Sequence, residues 1–126
     1  MREIKFRAWD KLNYRFLSMP LVGIDFENDC VNSYEIEQIS DTEYKTVQNV
    51  CYSYELMQYT GLKDKNGVDI YEGDIVKGNY LKGIGVVEWN DKFCKFDISH
   101  KINITPSDEF EVIGNIYENP ELLKEG

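Results

Sequence analysis

Two turns fall close together between Leu56 and Val76, and they limit the fold more than any other feature of the chain. The first is Lys63-Asp64-Lys65-Asn66-Gly67. Asn and Gly tolerate positive φ, which tight hairpin turns require. The second is Glu72-Gly73-Asp74. Between them, Val68-Asp69-Ile70-Tyr71 has room for only a short strand, and Ile75-Val76-Lys77 opens the next. Parallel strands need long crossovers, usually helical, whereas antiparallel strands join through turns like these. The tract therefore calls for an antiparallel sheet and is the architectural centre of the chain.

The remaining sequence agrees. Ile4, Phe6 and Ala8 alternate with Lys5, Arg7 and Trp9, the period of a strand. Asp10-Lys11-Leu12-Asn13 is a polar turn, and Tyr14 to Leu17 returns as the second arm of a hairpin that Pro20 ends. Asn28-Asp29 turns between two short strands, the second opened by Cys30-Val31. Tyr44 to Thr60 is strand-like, with Tyr52, Tyr54 and Leu56 alternating against Ser53, Glu55 and Met57. A glycine-bearing connection, Gly78 to Gly85, leads into a strand at Ile84 to Trp89. Asn90-Asp91-Lys92 turns it back into Phe93 to Ile98. Ser99 to Asp108 is a polar loop broken by Pro106, and Phe110 to Ile116 is a last strand. Asn119 can cap a short helix, Pro120 to Lys124, with proline at its first position and Glu121 at its positive end.

No internal repeat is visible. Short strands with frequent turns predict a mainly β fold: a small antiparallel, SH3-like barrel in the C-terminal half, packed with an N-terminal β unit and followed by a short C-terminal helix. The expected organisation is a single compact domain, 1–126, with sub-units 1–55 and 56–126.

The chain offers little for catalysis. Its net charge is −9, from 23 acidic and 14 basic residues. Phosphate neutralisation dominates nucleic-acid affinity, so this balance disfavours nucleic acid as a partner. Cys30, Cys51 and Cys94 are spaced too widely for a zinc signature, and an odd count predicts free, buried thiols in a reducing cytoplasm. No apolar run reaches the 18 or more residues of a membrane span. Asp25, Glu27 and Asp29 resemble the opening of a calcium loop, but its glycine and final glutamate are replaced by Cys30 and Ile36. His100 is the only histidine and stands in a polar stretch, as a solvated loop residue. Glu72, Asp74 and Glu88 could pair as acid and base, yet Asp74 is better placed to accept backbone N–H groups at its turn. The expectation is no enzyme, with no catalytic, cofactor-binding or metal-binding residue. What remains is aromatic. Trp9, Tyr59, Tyr71, Tyr80, Trp89 and Phe93 serve packing first, and Tyr59, Tyr71, Tyr80 and Trp89 form the candidate interaction surface.

Four blocks resemble a known family. They are Ile4-Lys5-Phe6-Arg7-Ala8-Trp9-Asp10; Gln58 to Gly67 followed by Ile70 to Val76; Gly85 to Trp89; and Glu111 to Leu123. In this order they are similar to the YopX family of phage and prophage proteins, with Leu21 to Tyr44 and Ser99 to Glu109 outside the likeness. The resemblance implies a small, mainly β protein encoded by a phage or an integrated element and working in a bacterial cytoplasm. It brings no activity and no catalytic residues with it. The expected function is that of a non-catalytic accessory protein acting by protein–protein contacts, self-associating as a homo-oligomer and meeting a phage or host protein. The competing readings are a nucleic-acid-binding SH3-like module, marked by lysines at 63, 65, 77, 82 and 92 gathering near Trp89 or Tyr80, and an acidic decoy of DNA built on the seven acids between Asp25 and Glu43.

Overall fold

The computed structural model describes residues 3–18, 23–78, 83–99, 102–104 and 110–124. Strands hold 59% of the described residues and helix 5%, so the chain is mainly β, with antiparallel pairing and a sheet curled into a half-barrel. The chain divides into two compact units: Phe6–Leu56, and the residues on either side, up to Lys5 and from Met57 onward.

The Phe6–Leu56 unit holds β1 (Phe6–Asp10), β2 (Arg15–Phe16), β3 (Gly23–Asp25), β4 (Cys30–Gln38) and β5 (Tyr44–Cys51). β1 and β2 form the expected hairpin, with Trp9 opposite Phe16. β3, β4 and β5 form a sheet in that order, and β4 and β5 stay in register from Val31↔Cys51 to Gln38↔Tyr44. Ala8, Leu17, Val31 and Cys51 make the core, with Ile24, Tyr54 and Leu56 packed on it. The strand-like run from Tyr44 to Thr60 is two strands: β5 stops at Cys51, and β6 (Tyr54–Lys63) starts after a bend at Tyr52-Ser53.

The other unit contains most of β6, then β7 (Asp69–Tyr71), β8 (Asp74–Gly78), β9 (Ile84–Asn90), β10 (Lys95–Ile98), β11 (Ile102–Asn103) and β12 (Phe110–Asn115). Five of them form one sheet in the order β11-β10-β9-β8-β12. Ile70, Val76, Val87, Ile98 and Phe110 form its core. Burial of each such side chain contributes roughly 1.5–3 kcal/mol. Gly85 sits against this core, and a Cβ there would collide with the Cγ2 methyl of Ile98. β11 occupies part of the stretch expected to be a loop, and the terminal helix is a single 3-10 segment, Pro120–Lys124. Among the described residues, no helix is long and apolar enough to cross a membrane.

The tract between Leu56 and Val76 is pinned by its own acids. Asp64 is 6% exposed, and its carboxylate accepts the N–H groups of Asn66 (2.8 Å), Val68 (2.9 Å) and, from β12, Val112 (2.9 Å). Burial, the largest influence on Asp64, pushes its carboxyl up, but these N–H donors outweigh it and hold it below the usual carboxylate range. Asp74 accepts the N–H of Tyr71 at 2.8 Å, the turn role expected of it. At the corner between them Gly73 has φ 87°, its N–H donates to Val87 O, and its carbonyl accepts from Ile116 N. Only glycine adopts that conformation without strain.

One recurrence escaped the sequence reading. Three hairpin turns share one construction. Asp10 accepts the N–H groups of Leu12 and Asn13 and the amide of Asn13. Asp25 does the same with Glu27 and Asn28. Asn90 accepts from Lys92 and Phe93. Each turn then ends on a residue in the left-handed region: Tyr14 (φ 54°), Asp29 (52°) and Cys94 (51°). That position corrects the expectation of three buried thiols: Cys30 and Cys51 are buried, but the turn carries Cys94 into solvent.

Candidate functional site

The candidate aromatic residues fall into three environments. Tyr59 and Tyr71 stand opposite each other on β6 and β7, with ring centroids 5.6 Å apart, and are only 6% and 8% exposed. Trp89, on β9, is 41% exposed. Tyr80 lies outside the described residues, as do Lys82 and His100. Trp9 is buried, edge-on to Phe16 at 5.0 Å, and serves the core of its own unit.

Tyr59 and Trp89 meet at a cleft of about 370 Å³. Gln58, Tyr59, Thr60 and Leu62 of β6 make one wall, Trp89, Cys94, Lys95 and Phe96 of the β9–β10 hairpin the other, and Glu3 and Ile104 complete the lining. The volume lies within the range of ligand pockets, and the mixture of rings, aliphatic carbons and a few polar groups is their usual lining.

Local structure explains each wall. On the hairpin, Trp89 pairs with Phe96 across the strands, their rings 5.0 Å apart at 72°, so each fixes the other's orientation. The turn beyond them, capped by Asn90, holds Phe93 out in solvent, where the ammonium groups of Lys92 and Lys95 lie 5.4 and 5.6 Å from its ring. Among the described residues, β10 meets β11 at Asp97↔Asn103 and Ile98↔Ile102. On the other wall, Gly61 (φ 89°) marks the register shift between Tyr59 and Lys63. Thr60 fixes the bulge by donating its hydroxyl to Ile70 O at 2.7 Å while accepting the N–H of Leu62.

Beneath Tyr59 is a charge cluster. Asp69 accepts from Lys5 (2.5 Å) and Lys63 (2.6 Å), and the Lys5 ammonium lies 4.5 Å from the Tyr59 ring. Burial raises the Asp69 carboxyl, but the two lysines prevail and keep it below its ordinary range. The hydrogen bonds to Asp69 and Glu3 push Lys5 well above the ordinary lysine value. Burial, with Asp69 adding to it, raises the Tyr59 phenol, which stays neutral. The cluster thus sets the charge environment of the Tyr59 ring.

Several other charges pair within the chain. Lys65 and Lys77 both pair with Glu111. In the acidic segment, Asp29 accepts from the Tyr54 hydroxyl, Glu35 pairs with Arg15, and Glu37 with Lys45. The sequence identified Tyr59 and Trp89 but missed Phe96 and Lys95 as cleft residues. The alternation in Phe93 to Ile98 marked a strand without saying which face would meet β6.

Fold and site together define a small antiparallel β protein with an aromatic-walled cleft on its C-terminal unit. The chain belongs to the YopX family: the family model, YopX protein, matches residues 5–124. A solved structure, the crystal structure of protein EF1440 from Enterococcus faecalis, is similar at 28% identity with a TM-score of 0.70, covering 98% of this chain and 100% of that one. No curated protein matches the chain.

Proposed function

We propose that this protein is a non-catalytic accessory protein of a phage or prophage, working in the bacterial cytoplasm through protein–protein contacts, with itself and with a phage or host protein. The observation that carries the reading is the Trp89 cleft. A half-exposed tryptophan, locked against Phe96 and facing a second aromatic wall at Tyr59, suits an apolar anchor on an extended polypeptide segment.

Charge favours a protein partner over nucleic acid. Of the lysines that would have to gather near Trp89, Lys63 is paired with Asp69 and Lys65 and Lys77 with Glu111, which leaves Lys92 and the cleft residue Lys95 beside Phe93 on a chain of net charge −9. An acidic decoy fits less well, since Asp25, Asp29, Glu35 and Glu37 are occupied by turn N–H groups, Tyr54, Arg15 and Lys45.

The test is selection of peptides from a random display library on the intact protein, followed by titration of the selected peptides. Binding should shift the emission of Trp89, and Trp89→Ala should weaken it at least about tenfold, or about 1.4 kcal/mol. Peptides that bind the wild type and Trp89→Ala equally would overturn the assignment of the cleft. Retardation of DNA or RNA at low salt would overturn the choice of a protein partner.

A further inference from the structure

The β4–β5 hairpin separates its charges by face. In a strand, alternate residues share a face, and in register the partner strand supplies the neighbours. One face pairs Ser33 with Asn49, Glu35 with Val47 and Glu37 with Lys45. The other pairs Asn32 with Val50, Tyr34 with Gln48, Ile36 with Thr46 and Gln38 with Tyr44. This second face carries no charged side chain, in a chain of which 29% is charged. It is also open: Tyr34, Ile36, Tyr44 and Val50 are all exposed, Ile36 at 76%.

Among the described residues its border is open as well. β5 is the outermost strand of the order β3-β4-β5 and runs for eight residues, with Lys45 its only charge. Outer strands of soluble proteins are ordinarily short, bulged, proline-bearing or studded with charge, because their unpaired N–H and C=O groups template pairing with another chain. β5 lacks these defences.

We propose that β5 and the uncharged face beside it form the contact between two copies of this chain, joined edge to edge about a two-fold axis. This rests on the self-association included in the proposed function, and names the surface for it. Charge selects the occupant. Two copies each carrying −9 repel wherever charged surfaces meet, and this face allows approach without that cost. A two-fold contact needs one patch that complements itself. An edge strand with Lys45 as its single charge does so, since antiparallel pairing matches β5 to its own copy while Tyr34 and Ile36 extend the apolar surface across the joint. The contact adds strands rather than filling a groove, so it is independent of the Trp89 cleft.

The test is light scattering after size exclusion, with sedimentation velocity, on the whole chain from 1 to about 100 µM. The wild type should approach twice the chain mass of 14.8 kDa. Ile36→Lys and Thr46→Lys place a charge on the joint of each copy at exposed positions, so both should fold, as checked by circular dichroism, and each should raise the dimer dissociation constant at least tenfold. A wild-type dimer that neither substitution weakens would overturn the assignment of this surface and leave self-association standing. A wild type that stays monomeric throughout would overturn both. A species larger than a dimer that both substitutions disperse would overturn the two-fold geometry.

Discussion

The tract from Met57 to Val76 and the hairpin from Cys30 to Cys51 both carry several acids and two tyrosines, yet they use them in opposite ways. In the first, the side chains are turned inward. Asp64 holds three backbone N–H groups, Asp69 holds two lysines, Asp74 holds Tyr71, and Tyr59 and Tyr71 are buried against each other. In the second, the backbone ladder holds the element together, and Tyr34, Ile36 and Tyr44 face solvent. The comparison teaches that a dense, distinctive sequence segment can be architecture, while the surfaces available to partners lie on plainer strands.

The largest effect should come from removing a pinning acid. Asp64→Ala leaves the part-buried N–H groups of Val68 and Val112 without their carboxylate acceptor, and a hydrogen bond to a charged group contributes roughly 1.5–3 kcal/mol. Urea unfolding should show a loss of about 3 kcal/mol or more. The matched change in the hairpin region, Asp41→Ala, removes an exposed acid and should stay within about 0.5 kcal/mol. Equal losses would erase the contrast.

Gly85→Ala comes next. The added methyl meets Ile98 in the core, so overpacking should cost about 2 kcal/mol in the same assay.

Acid should act on the first region selectively. Asp64 and Asp69 titrate lower in the folded chain than in the unfolded one. Their stabilisation is therefore full above about pH 4, the unfolded carboxylate value, and is lost as pH falls through their folded values. Thermal melts should hold steady from pH 7 to 5 and drop below about 4, and Asp64→Asn should flatten that drop. An unchanged acid limb in Asp64→Asn would show that other carboxylates set it.

The smallest effect tests the shared turn. Cys94 sits at φ 51°, where side chains other than glycine are strained, so Cys94→Gly should be neutral or stabilising by about 0.5 kcal/mol. A clear loss would mean that the thiol's contact with Asp91 O outweighs the backbone strain.

Much of this contrast was visible in the residues themselves. Asn66-Gly67, Gly73-Asp74 and Asp10 to Asn13 announce their turns, because few residue types satisfy those backbone conformations and N–H groups. The alternation of Ile4 to Trp9 and of Ile84 to Trp89 gave strands where strands occur. Other features depend on partners distant in sequence. Nothing local tells that Asp64 reaches Val112, or that Tyr59 is walled in while Trp89 stays open. The uncharged face of β4–β5 became legible only once register aligned Tyr34 with Gln48 and Ile36 with Thr46.

In the proposed function Trp89 serves recognition and not stability, the reverse of Asp64. The direct measurement is the melting temperature and the peptide affinity of Trp89→Ala, taken on one preparation. The melting temperature should stay within about 4 °C of wild type, as for a change of under about 1 kcal/mol, with affinity reduced tenfold or more. A protein that melts far lower while binding unchanged would contradict that role.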